Sequence, residues 1–119
     1  MRIDGYFNAN DEPAITLNLI SSSLEVLVDT GFAGSLILPA HLSTGLALQF
    51  RGFDEFFTVT GDLLVAPAYS AEVNWLGRRV KVPVAISPDV KEALLGSQML
   101  KKCILTIDYA NRTVTITQG

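Results

Sequence analysis

One short segment of this 119-residue chain brings together residue types able to do chemistry: Val-Leu-Val-Asp-Thr-Gly-Phe-Ala-Gly-Ser-Leu-Ile-Leu-Pro, at positions 26–39. Asp29 follows a fully apolar run and precedes Thr30 and Gly31, then a second small turn and another apolar run. A carboxylate placed where a buried strand emerges into a loop lies against a low-dielectric wall, a setting suited to acid–base work. Thr30 offers a hydroxyl that both donates and accepts, and Gly31 lets the backbone pass close to a neighbour. Taken alone, the tripeptide reads more readily as an Asp–Gly turn between two strands.

Composition bounds what such a loop could serve. The length suits one domain over residues 1–119, with enough chain to bury a modest core. Apolar residues make up 49% and charged residues 18%, which argues against intrinsic disorder. A formal charge of −3 is no basic footprint for nucleic acid or a membrane surface. The lone Cys103 excludes an internal disulfide, and with His41 as the lone histidine a zinc site is not expected. No run reaches the roughly 20 apolar residues of a spanning helix, and the start is no signal peptide. The expectation is a soluble, cytoplasmic domain with no nucleic-acid or membrane partner.

The elements that must position Asp29 are strands. Valine, isoleucine and threonine are abundant, and their bulk at Cβ suits a pleated surface. Period-two alternation runs over 14–19, 24–28, 69–75 and 80–86, the last two flanking Leu76-Gly77-Arg78-Arg79 as a hairpin. A second hairpin is predicted at 104–109 and 113–117 around Ala110-Asn111-Arg112. Two short helices are expected, one over 39–45 and one following Gly96 over 97–102. The weakly apolar stretch 49–55 reads as a connection between strands. Short strands with this punctuation predict an antiparallel all-β sandwich or barrel.

Around Asp29-Thr30-Gly31, the apolar lead-in and apolar follow-on resemble the active-site loop of aspartic proteases. About 65 residues on, Ala93-Leu94-Leu95-Gly96-Ser97-Gln98-Met99-Leu100 looks like the apolar-apolar-Gly and short helix near the C-terminus of retropepsins, the single-domain members. Ile104-Leu105-Thr106-Ile107-Asp108-Tyr109 is similar to the strand that follows. The likeness spans about 14–116 and is greatest to small prokaryotic-type members, in which Val-Asp-Thr-Gly-Phe-x-Gly is common. It implies a retropepsin-like β-barrel with one or two short helices.

It also implies a mechanism. Aspartic-protease chemistry needs two carboxylates that share one proton and one water, with a bell-shaped pH dependence. None of the six other aspartates precedes Thr-Gly, so two chains would pair about a two-fold axis and each supply Asp29. The resemblance assigns catalysis to Asp29, bracing of the dyad across the axis to Thr30, and a tight loop with substrate contact to Gly31. Ala33 and Gly34, beside Ser35, would line a subsite. A flap is expected over 56–65 with Thr60, Gly61 and Asp62 at its tip, also as substrate-binding residues. Retroviral members have a glycine-rich flap and this sequence does not. Many also pair an arginine after the C-terminal glycine with an aspartate after Asp-Thr-Gly; here those positions read Gly96-Ser97 and Gly34-Ser35, so both partners are missing together. The implied activity is a polypeptide-cleaving endopeptidase without metal or organic cofactor, preferring apolar side chains beside the scissile bond. A protease-fold module that binds peptides or dimerises without turnover is the alternative.

The remaining residues have plainer readings. His41 is expected at the surface of a short helix, Arg78 and Arg79 at a solvated hairpin tip, and Cys103 and Trp75 in or against the core. Phe50, Phe53, Phe56 and Phe57 are expected to fill the core beneath the flap rather than line an apolar groove. The terminal strands near 3–7 and 113–117 are expected to build an interchain sheet.

Overall fold

The alternating apolar residues organise into ten strands. The computed structural model describes the backbone of residues 1–57 and 60–119, and the side chains of all of these but Phe56 and Leu64. The first half contains β1 (Arg2–Phe7), β2 (Pro13–Leu19), β3 (Ser23–Val28), β4 (Leu36–Leu38) and the four-residue helix α1 (Ala40–Ser43). The second contains β5 (Gln49–Phe57), β6 (Leu63–Trp75), β7 (Arg78–Ile86), β8 (Leu94–Leu95), β9 (Cys103–Asp108) and β10 (Thr113–Gln118). No helix among the described residues is long and apolar enough to cross a membrane.

Sheet order is β5-β6-β7-β4-β8-β3-β2-β1-β10-β9, and β6 also pairs with β2 through Asn18↔Asn74 and Leu19↔Val73. That extra pairing closes β2, β3, β8, β4, β7 and β6 into a ring. Closing a sheet on itself lets one face of every strand share one interior. Ile15, Leu17, Val26, Leu36, Leu38, Val73, Val84 and Leu95 fill it, each no more than 3% exposed. Deleting such a side chain, for example Leu95→Ala, costs about 2–5 kcal/mol.

Two arms hang from the ring. Upper β6 pairs with β5 from Leu63 to Ser70, whereas β7 reaches only Ala68, so the β5–β6 hairpin projects past the barrel. On the other side β1 pairs with β10 from Arg2↔Thr117 to Tyr6↔Thr113, and β10 with β9 from Thr113↔Asp108 to Gln118↔Cys103. The hairpin at Leu76-Gly77 has two turn residues, since Trp75 faces Arg78.

Four expectations change. Stretch 49–55 is not a connection but most of β5, with a bulge between Phe50 and Gly52. As the end strand of the sheet, β5 needs no apolar alternation. Phe50, Phe53 and Phe57 are exposed rather than core (54%, 67% and 77%), because their hairpin stands clear of the barrel; Phe50 packs edge-on against Phe53 and Tyr69. Residues 97–102 form consecutive turns instead of a helix, with Met99 bonded to Gly96 and Leu100 to Ser97 three residues back. The amides of Ser97 and Gln98 are spent on another segment, and Lys102 has φ +63°. Finally, the terminal strands pair with each other within one chain, which fills both edges of β10.

Candidate active site

Asp29 is the first residue after β3, and its position is set by the backbone. Its amide donates to the Leu95 carbonyl at 2.9 Å, continuing the parallel pairing of β3 with β8. The chain then turns sharply: the Gly31 amide donates to Asp29 Oδ1 at 3.0 Å and the Phe32 amide to the Asp29 carbonyl at 3.1 Å. The first bond fixes the carboxylate's orientation. Oδ2 has no hydrogen-bond partner among the described residues and is free to meet a ligand.

Past the turn the loop is bonded to the segment that sequence places 65 residues away. Ser97 donates to the Phe32 carbonyl at 2.8 Å, Gln98 to that of Gly34 at 3.1 Å, and Gly96 to that of Ser35 at 2.9 Å. β4 then runs antiparallel to β8 through Leu36↔Leu95. Leu94 to Gln98 therefore pass between the two arms of the Asp29 loop. Gly96 is required there: a Cβ would strike the Gly34 carbonyl oxygen and come within 2.5 Å of the Phe32 carbonyl oxygen and ring. Ring strands on both flanks and this crossing segment make the loop rigid, as a catalytic group requires.

The other predicted residues fall in three places. Thr30, Gly31 and Ala33 are exposed beside Asp29, while Gly34 is half-buried against the Phe32 ring. Ala33, Gly34 and Ser35 wall a cavity of about 180 Å³ with Asp54 and Gln98. Thr60, Gly61 and Asp62 sit exposed at the end of the β5–β6 hairpin. Gly61 turns the chain at φ +88°, and Thr60 Oγ1 donates to Asp62 Oδ2 at 3.1 Å. Thr58 and Val59, within the expected flap, lie outside the described residues. It is the stem of this hairpin that meets the loop: Val65, Ala66 and Pro67 share an apolar cavity of about 330 Å³ with Phe32 and Ile37.

A further cavity of about 330 Å³ opens beside Asp29 itself, between Leu27, Leu94, Glu12, Glu92 and Tyr109. Sequence reasoning assigned no site role to any of these residues. They converge from four separate parts of the chain, and no local pattern marks them.

No family model matches the chain, and no curated protein matches it in sequence. Among solved structures it is similar to a retropepsin-like aspartic protease from Rickettsia conorii, at 18% identity over 98% of this chain and 89% of that one, with a TM-score of 0.69. It is also similar to EIAV protease, solved with an inhibitor, at 21% identity over 80% of this chain and 90% of that one, with a TM-score of 0.62. The chain has an all-β, retropepsin-like fold.

Proposed function

We propose that this chain is an aspartic endopeptidase, one domain over residues 1–119, active as a homodimer in which Asp29 meets Asp29 of the partner subunit. The observation that carries the reading is the locked Asp29 loop, with one carboxylate oxygen tied to Gly31 and the other open beside a cavity. One carboxylate of the dyad is ionised and the other protonated. The ionised one takes a proton from water as the water oxygen bonds to the scissile carbonyl carbon. The protonated one gives its proton to the carbonyl oxygen. Collapse of the tetrahedral intermediate breaks the C–N bond: the leaving nitrogen takes the proton held by the dyad, and one hydroxyl of the intermediate returns its proton to the other carboxylate as the new C=O forms. Thr30 and Gly31 hold the loop, and the β5–β6 hairpin, with Thr60, Gly61 and Asp62 at its end, closes over an extended peptide.

Dimerisation in this reading uses the outer edge of β9. β10 is already paired on both sides, while β9 ends the sheet with an unpaired edge among the described residues. Ile104 on β9 is 56% exposed. Antiparallel pairing of two β9 edges about a two-fold axis sets Lys101 and Lys102 of one copy near Asp108 of the other, so the charges complement. Tyr109, immediately after β9, lines the cavity of Asp29, so an axis at this edge brings the two sites toward each other.

The test is cleavage profiling of a broad peptide mixture between about pH 4 and 7, with Asp29→Asn alongside wild type. Cleavages made by wild type alone are expected. A folded, dimeric wild type that cleaves nothing would overturn the reading and leave a peptide-binding module.

A further inference from the structure

The cavity beside Asp29 combines two kinds of wall. Pro13, Leu27, Val28 and Leu94 are apolar, and Tyr109 adds a ring packed edge-on against Phe7 at 5.2 Å. The remaining lining is acidic: Asp11, Glu12 and Glu92, beside Asp29 itself. No lysine, arginine or histidine lines it.

One of these carboxylates is already neutralised. Arg112 bonds to Asp11 and lies over the Phe7 ring at 5.1 Å, so its charge is committed outside the cavity. Glu12 and Glu92 are half-buried, and neither carboxylate has a hydrogen-bond or ion-pair partner among the described residues. Two carboxylates that line one cavity without a partner are complemented by a cationic group. A metal ion is not the occupant these groups suit, since no three acidic, histidine or cysteine residues among the described ones converge to hold one.

We propose that the substrate places a lysine or arginine side chain in this cavity, beside the bond to be cut. The inference rests on the protease reading for its geometry: a peptide whose scissile carbonyl meets Asp29 must direct a neighbouring side chain into the space that Asp29 walls. Acidic residues on a surface would not define a site. These do so because they share one cavity with the reacting group and with apolar walls. The walls match the methylene stem of a long basic side chain, and Glu12 and Glu92 match its head. The apolar preference expected from sequence thus applies to the stem alone. A leucine or phenylalanine would cover Glu12 and Glu92 without pairing them.

The experiment compares peptides identical except at the residues flanking the scissile bond, which carry lysine, arginine, norleucine, leucine or glutamate. Norleucine keeps an unbranched apolar stem without a cationic head. Expected is a kcat/KM for lysine or arginine roughly tenfold or more above norleucine, the factor of one charge-assisted bond. In the double variant Glu12→Gln/Glu92→Gln, shown folded by its melting curve, that ratio falls toward one. The same fluorescein-labelled lysine and norleucine peptides are titrated against Asp29→Asn by fluorescence polarisation, which needs no turnover. Equal treatment of lysine and norleucine in both assays overturns the inference, as does a lysine preference that survives the double variant. If wild type cleaves nothing while Asp29→Asn binds the lysine peptide tenfold more tightly, the basic-residue cavity stands and the protease reading falls.

Discussion

Gly96 passes directly beneath the carbonyl oxygen of Gly34, with no room for a side chain between them. This contact joins the Asp29 loop to the segment after β8, and three backbone hydrogen bonds from Gly96, Ser97 and Gln98 surround it. The loop is thus held by the packing of two backbones, which side-chain substitutions elsewhere leave intact.

Gly96→Ala is therefore expected to destabilise the whole domain, by about 1–3 kcal/mol or more, because backbone rather than a flexible side chain must move aside. Gly31→Ala makes the informative contrast. A Cβ there comes within 3.3 Å of Asp29 Oδ1, a strain that a small side-chain rotation relieves. Urea melts should show the large loss only for Gly96→Ala, while peptide cleavage falls in both. Equal melts for the two variants would show that the crossing is not the constraint described.

Asp29→Asn should leave stability within about 1 kcal/mol of wild type. The asparagine oxygen still accepts the Gly31 amide, so the turn persists. Cleavage should fall by a factor on the order of 10³, since an amide cannot share the proton. A variant that melts far below wild type would mean that the carboxylate is structural.

Much of this architecture is legible in the sequence where a strand has one buried face. β2 alternates cleanly because Ile15 and Leu17 face the core while Thr16 and Asn18 face water. The hairpins at Leu76-Gly77 and around Asn111 announce themselves through turn residues between such runs. β5 does not, because it projects at the sheet's end, where Arg51, Asp54 and Glu55 cost nothing and Phe50, Phe53 and Phe57 stay exposed. Turns over 97–102 look helical locally because the bonds that prevent a helix come from Phe32 and Gly34, far away in the chain. At the site, Asp29-Thr30-Gly31 and residues 94–98 are legible as a pair only through resemblance to known loops. Glu12, Glu92 and Tyr109 carry no local signal, because only the closed ring and the β9–β10 arm bring them to one cavity.

Ile104→Asp tests the proposed β9 edge. The side chain is exposed, so the isolated chain should melt within about 0.5 kcal/mol of wild type. Light scattering should give a dimer for wild type and the single-chain mass of 12.9 kDa for the variant, with loss of cleavage. A variant that stays dimeric would move the interface away from β9 without touching the assignment of Asp29.

The β9–β10 turn gives the stability of this arm a pH dependence. Asp108 Oδ1 accepts the Asn111 amide at 3.0 Å and Oδ2 accepts Asn111 Nδ2 at 2.8 Å. The backbone bond first, then the side-chain bond, hold the Asp108 carboxyl below the usual carboxylate range. A group depressed in the folded state stabilises fully above its unfolded value, about 3.9 for aspartate, and loses that contribution as pH falls through the folded value. Asp108→Ala should therefore melt below wild type at pH 6, with the gap narrowing as pH drops below about 4. Thermal melts of both proteins from pH 6 to pH 2.5 check this directly. A gap of constant size would assign the effect of Asp108 to packing, and the turn would then owe nothing to its charge.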